Sequence, residues 1–466
     1  MIGIIGAGIV ALASAPKAVE VTIYNGDFGL VKEVRTFRLQ SGRQQVRVED
    51  VPSQIDSTSV GIKSLTKGFA FDMLEQNYQY DLISPQAILA KSIGKRVRFS
   101  NQLQNGEVVV TEGELLSSDR VVVRTDDGRI VLDPQGTLEV KEIPAGLISK
   151  PTLMWDLDAE KSGECDVEVA YLTNSINWSA DYVLTLNAND TKADLNGWVT
   201  ISNRCGATFE NAMLKLIAGD VRRVQEFDGN MEERLAMSAP QGMMADKKGF
   251  EEQQLFEYHL YTLQRPATVR NNEIKQISLL SASDVGVKKT LIFEGQRSVW
   301  SSYGNSYRPG EGWATDENSK VNIVIEVLNS EKNKLGMPLP KGRIRVYKRD
   351  ASGQVQMVGE DAIDHTPREE KVKLYIGDAF DIVGQRKRLS YTAVASNIVR
   401  ETFEIKLRNR KKVAETVRVV EHAWSDWKIL NETEKSTKID SNTFEYSVTL
   451  QPDIEQTIRY TIETRW

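Results

Sequence analysis

The feature that most constrains this chain is an apolar alternation of period two that recurs along its length. Phe444, Tyr446, Val448 and Leu450 alternate with polar residues, as do Val321, Ile323, Ile325 and Val327, and Phe403, Ile405 and Leu407. Successive side chains of a strand point to opposite faces, so this pattern specifies antiparallel strands with one face buried and one wet. Turn chemistry separates the runs at Asp126-Asp127-Gly128, Asp350-Ala351-Ser352-Gly353 and Pro340-Lys341-Gly342. The expected fold is mainly β: multidomain antiparallel β-sandwiches with a small β-barrel insertion and few helices.

One helix signal interrupts the pattern. Ser84 is placed to cap, Pro85 to open, Ala87 to Ile93 to supply apolar residues at helical spacing, and Gly94 to stop it. Short alternating segments follow up to Val140, so residues 81–146 read as a small barrel with a capping helix, leaving through Ile143-Pro144-Ala145-Gly146. The remaining divisions are a signal peptide over 1–18, an N-terminal β domain over 19–80, a central β domain over 151–320 with a flexible loop at 229–249, and a C-terminal β-sandwich over 321–466.

The opening "IGIIGAGIVALASAP" contains Gly6-Ala7-Gly8-Ile9-Val10-Ala11, the letters of a dinucleotide turn. Such a turn needs a crossover helix behind it, and Pro16 followed by the alternation of Val19, Val21 and Ile23 leaves no room for one. No bound dinucleotide and no other cofactor is expected. The uncharged run Ile2 to Ala15 ends in small residues and reads as an export leader cut after Ala13 or, since no Lys or Arg precedes it, as a short internal apolar strand, the leader being the favoured reading. A leader of this kind makes few contacts with the folded chain. The expected location is exported, periplasmic or cell envelope, or cytoplasmic if residues 1–15 are not a leader. The run falls short of the roughly 20 residues of a membrane span.

Lys plus Arg number 59 and Asp plus Glu 65, a net charge of −6, which gives no electrostatic footprint for nucleic acid. The run Arg408-Asn409-Arg410-Lys411-Lys412 sits between strand-like segments and reads as a hairpin tip. Cys165 and Cys205 are the two cysteines, without metal or redox spacing, and are either a disulfide or two buried thiols.

The segment "AYLTNSINWSADYVLTLNANDTKADLNGWVTISNRCGATFENAMLKLIAGDV" carries an aromatic block at Asn177 to Tyr182 and an Asn203-x-x-Gly206 turn. With "EYHLYTLQRPATVRNNEIKQISLL" and "LGMPLPKGRIRVYKRDASGQVQMVGEDAIDHTPREEKVKLYIGDAFDI", in the same order, it resembles the DUF4139 family over residues 165–464. The strands from Val19 to Val51 resemble that family's N-terminal companion domain. The small barrel stands where many relatives have a long coiled coil. The resemblance implies an exported or envelope-associated β protein of the mucoidy-inhibitor-like kind and brings no catalytic residue set.

Candidate chemistry is sparse. His259, His365 and His422 are scattered and match no metal or protease pattern. The densest polar group is Glu360, Asp361, Asp364 and His365, with Asp378 and Asp381 after the next strand. Carboxylates brought together there would hold calcium or act as an acid/base pair, as in a hydrolase or metal-dependent enzyme, whereas an ordinary solvated loop would splay them. Trp178, Trp198, Trp424 and Trp427 lie in or beside strands as core residues. Trp300 and Trp313 flank the loop "SSYGNSYRPGEG" as aromatic platforms for carbohydrate rings or a partner surface, and Met231, Met237, Met243 and Met244 lie in a segment that reads first as solvated disorder and only secondarily as a soft site for a partner or copper. The final alternation Ile458, Tyr460, Ile462, Thr464 and Trp466 reads as a sandwich strand rather than a membrane-barrel strand. The function read from the residues is an envelope protein that binds or scaffolds, its partner a protein or carbohydrate of the cell envelope.

Overall fold

In a computed structural model the chain is described at residues 10–104, 106–223, 250–297, 318–350 and 352–466. Gly6, Gly8, the methionine segment, Trp300 and Trp313 lie outside these residues. The chain is mainly β, with one α-helix among the described residues. It divides into two compact units, residues 1–178 with 201–275 and residues 179–200 with 276–466, so the chain passes between units three times instead of breaking near 150 and 320.

The first unit contains a four-stranded, an eight-stranded and a five-stranded sheet. Strands Phe28–Leu39 and Gly163–Asn174 pair along their whole length, Leu39 opposite Gly163 and Phe28 opposite Asn174. Their inward residues Val31, Phe37, Val167, Val169 and Tyr171 are buried. Phe37 meets Trp155 of the four-stranded sheet with ring centroids 5.9 Å apart. Val10–Leu12 is a short strand running parallel to Gly42–Glu49, and Ser14 donates its N–H to the Thr36 carbonyl. The expectation of few contacts from residues 1–15 therefore does not hold for residues 10–14, whose main chain completes the edge of a sheet.

The segments after residue 80 form the five-stranded sheet, but as an open sheet and not the closed barrel expected there, since among the described residues its end strands Ile130–Leu132 and Thr137–Glu139 each pair on one side only. Its core is Val97, Phe99, Leu115 and Val123, with Leu89 of the helix Pro85–Lys91 packed against it. The helix starts as the sequence dictates: the Ser84 hydroxyl accepts the Ala87 N–H at 3.0 Å, and Gly94 turns the chain with φ +75°. A parallel bridge between Leu82 and Ile148 ties the entering and leaving strands together.

The second unit is built on a thirteen-stranded sheet system. Phe293, Ile405, Leu407, Val419, Phe444, Tyr446 and Ile458 form its core. Tyr460 and Ile462 also face inward, so the C-terminal alternation is a core strand. Trp178 and Trp424 are buried and Trp427 packs against the core, but Trp198 is 40 % exposed, because its place in Lys192–Asn203 falls on the outward parity.

Into this core the sequence carries a charge. Arg386 is buried with its Nε 2.9 Å from Glu421, which is fully buried, and its guanidinium stacks 3.9 Å from the Phe403 ring. Tyr460 donates its hydroxyl to the same Glu421 carboxylate. Gly295 and Gly384 make room: a Cβ on the first would lie 2.6 Å from Arg386, and one on the second 2.1 Å from the Phe293 ring. The first unit repeats the device, with Arg35 donating to Glu33 at 2.7 Å and Tyr171 to the other oxygen of Glu33 at 2.7 Å.

Both cysteines are buried thiols. Cys165 stands opposite Phe37 and Thr173 opposite Gly29 on the same strand. Cys205 lies against the Thr173 hydroxyl, which puts the two sulfurs about 26 Å apart along the strand, far beyond disulfide reach. Burial pushes the Cys205 thiol up to about 11.

Two outcomes follow. Glu421→Leu should destabilise the second unit by about 3–5 kcal/mol, because it strands a buried guanidinium, and adding Arg386→Met should recover most of the loss; urea denaturation followed by tryptophan fluorescence measures both. A thiol reagent should count both cysteines in denaturant without reductant, and label Cys205 slowly in the native protein at neutral pH.

Candidate functional site

The site grows from an irregularity in one long strand, Lys371–Ala395. Against Lys320–Leu328 its register shifts twice: Ile376 is skipped between the pairs Val324–Tyr375 and Ile323–Gly377, and beyond Asn322, which faces Asp378, Lys320 already faces Val383. The surplus residues bulge. Ala379 and Ile382 turn to the core while Phe380 is thrown outward, 94 % exposed, in mid-strand. Gly377, at φ +148°, admits the backbone conformation that precedes the bulge.

Around the bulge the outward side chains form one connected group. Asp378 accepts from the Asn322 amide at 2.7 Å and from the Tyr375 hydroxyl at 2.8 Å, and pairs with Lys320 at 2.9 Å. Arg297 donates to the Asn322 carbonyl oxygen at 2.7 Å and lies over the Tyr375 ring, 5.3 Å from its centroid. Asp361 accepts the Tyr375 backbone N–H at 2.7 Å. On the far side, Arg410 donates its N–H to the Asp381 carbonyl at 2.7 Å, which seats the turn after Ile398–Asn409 beside the bulge.

The electrostatics follow from these contacts. Burial opposes ionisation of Asp378, but the hydrogen bonds from Lys320, Tyr375 and Asn322 outweigh it and hold its carboxyl below the ordinary range. The bond to Asp378 raises the Tyr375 phenol, which keeps it a donor.

The residues expected to converge do so only in part. Asp361 and Asp378 bracket Tyr375, one on its N–H and one on its hydroxyl. Glu360 points instead to Arg345 at 2.9 Å. Asp364 offers its carbonyl to Thr366, and His365 accepts the Lys341 N–H through Nδ1 at 3.1 Å. Asp381 contributes its backbone to the turn. His259 pairs with Glu252 and His422 with Glu294, each at its own place. Among the described residues no group of three or more His, Cys, Asp or Glu side chains is placed to hold a metal ion. Arg297, Lys320, Asn322, Tyr375 and Phe380 escaped the sequence reading. The available signal was Gly377-Asp378 inside an alternating run, since a glycine within a strand marks a bulge.

No model of a known protein family matches the chain, and no curated protein matches it. The arrangement itself offers an exposed aromatic, a cation stacked on a second aromatic, and carboxylates already committed to donors, which is the make-up of a contact surface.

Because the folded-state carboxyl of Asp378 lies below its unfolded value of about 3.9, its contribution to stability is present above that pH and is lost as pH falls through the folded value. The stability difference between wild type and Asp378→Asn should be largest near neutrality and narrow below about pH 4; urea midpoints across pH measure it.

Proposed function

We propose that the protein is a non-enzymatic binding or scaffolding protein of the cell envelope, of the DUF4139 kind, exported to the periplasm or envelope, whose partner is an envelope protein or carbohydrate. The reading rests on Phe380. A phenylalanine left 94 % exposed in mid-strand by a bulge, on the same strand as Tyr375 with Arg297 over its ring, serves as an anchor for another molecule. The acidic residues nearby support binding rather than hydrolysis. Asp361 is engaged by two backbone N–H groups and Asp378 by an amide, a phenol and an ammonium, so neither is poised to take a proton from water.

The test is capture from a native envelope extract by the immobilised full chain. Wild type should retain a reproducible set of envelope proteins or glycans, and Phe380→Ser should lose it while Asp361→Asn keeps it. Hydrolysis of an envelope substrate by wild type, abolished by Asp361→Asn or Asp378→Asn, would overturn the proposal in favour of a hydrolase.

A further inference from the structure

The five-stranded sheet of the first unit leaves part of one strand uncovered. Val108–Ser117 is bonded on one side to Arg96–Gln102, from Val108 opposite Gln102 to Glu114 opposite Arg96. On its other side Val122–Thr125 covers it only from Gly113 onward. No strand among the described residues covers Val108–Glu112 on that side.

The parity of the ladder says which groups are exposed there. Leu103 donates its N–H to the Glu107 carbonyl, so Leu103 and Glu107 are a hydrogen-bonded pair. Alternation then makes Val109 and Thr111 face their main chain to Arg96–Gln102, and turns that of Val108, Val110 and Glu112 to the open edge. The side chains are apolar as well, with Val108 55 %, Val109 45 % and Val110 43 % exposed. Open edges are ordinarily blunted by lysine, proline or a bulge, and Val108–Glu112 has no lysine, arginine or proline and regular pairing to its neighbour.

We infer that this edge pairs antiparallel with the same edge of a second copy of the chain, about a two-fold axis through Val110. That register sets Val110 against Val110 and Val108 against Glu112, each exchanging both main-chain bonds, because all three residues turn those groups outward. Val109 then faces Thr111 as a close pair of β-branched side chains. No like charges oppose one another: Glu112 meets a valine and is held by Arg96 at 2.9 Å. The ladder stops at Gly113, where Val122–Thr125 already occupies the edge. The acidic residues of the adjoining turn are neutralised within their own chain, Asp126 by Arg96 and Asp127 by Arg129. A ladder this short buries less than the roughly 1,000 Å² of a stable interface, so the dimer is weak and concentration-dependent.

The experiment is sedimentation velocity on the full chain over a wide range of concentration. Wild type should show a reversible monomer–dimer equilibrium. Val110→Pro removes an N–H that the monomer does not use, and Val110→Lys places a charge on the edge. Each should raise the dimer dissociation constant by about tenfold or more and leave the melting temperature of the dilute monomer unchanged. A wild type that stays monomeric at the highest concentration overturns the inference, including the case where the edge takes a strand from another protein instead. So does a dimer that persists unweakened in both variants.

Discussion

Each unit is organised around an arginine that its core tolerates only because a glutamate and a tyrosine meet it there. A lone guanidinium in the interior would cost several kcal/mol of desolvation. Arg386 is offset by both oxygens of Glu421, by Tyr460 and by the face of Phe403. The geometry of neighbouring segments follows from that demand. Two positions, 295 and 384, accept only glycine, since Arg386 and Phe293 take the space a Cβ would need. Buried polar networks of this kind are costly when incomplete, so they fix the pairing of the strands that supply them. Arg386 comes from Lys371–Ala395, Glu421 from Glu415–His422 and Tyr460 from Glu455–Arg465, three strands whose mutual placement the network specifies.

A second recurring device governs strand ends. Asn203, Asn329 and Asn409 are each fully buried, and each follows or ends an alternating run. Asn409 donates to the Val413 and Leu450 carbonyls and accepts the Lys411 N–H. Asn203 repeats the pattern with Ala207, Val269 and Cys205. One amide side chain thus satisfies main-chain groups that a strand leaves unpaired where it turns out of its sheet. The Asn203-x-x-Gly206 turn visible in the sequence is one instance, with Gly206 at φ +91° where a Cβ would strike Ser53.

What was legible in the sequence was whatever depends on neighbours along the chain. Strand alternation, the Ser84 cap with Pro85, and the short strands that follow it all arise from local spacing, and the helix Pro85–Lys91 and the five-stranded sheet stand where that spacing put them. The misplaced features depend on parity or on distant partners. Trp198 is a tryptophan in a strand, but one residue of phase separates the core face from the wet face. Leu12 and its neighbours are short and apolar enough for a leader, and only the distant strand Gly42–Glu49 gives them an edge to complete. Arg386 looks like any surface arginine until Glu421, 35 positions later, is brought beneath it.

The acidic cluster shows the same limit at the level of chemistry. Glu360 and Asp361 are consecutive on Val355–Ile363, and consecutive residues of a strand point to opposite faces, so their carboxylates cannot share a site. Glu360 accordingly joins the arginines of Gly342–Arg349, and Asp361 crosses to the backbone of Tyr375. Asp378 and Asp381 both lie on the outer side, because the bulge inverts the phase between them, yet they serve different partners: Asp378 takes Asn322, Tyr375 and Lys320, and Asp381 offers its carbonyl to the Arg410 N–H. In a helix, residues three or four apart share a face, so a run such as Glu360 to His365 would have gathered its side chains. In a strand the same run scatters them, and the groups that do gather, Arg297, Asn322, Tyr375 and Asp378, come from segments far apart in the chain. For a chain this rich in strands, a cluster in the sequence is therefore weak evidence for a cluster in space, and an interrupted alternation is the better pointer to where outward side chains gather.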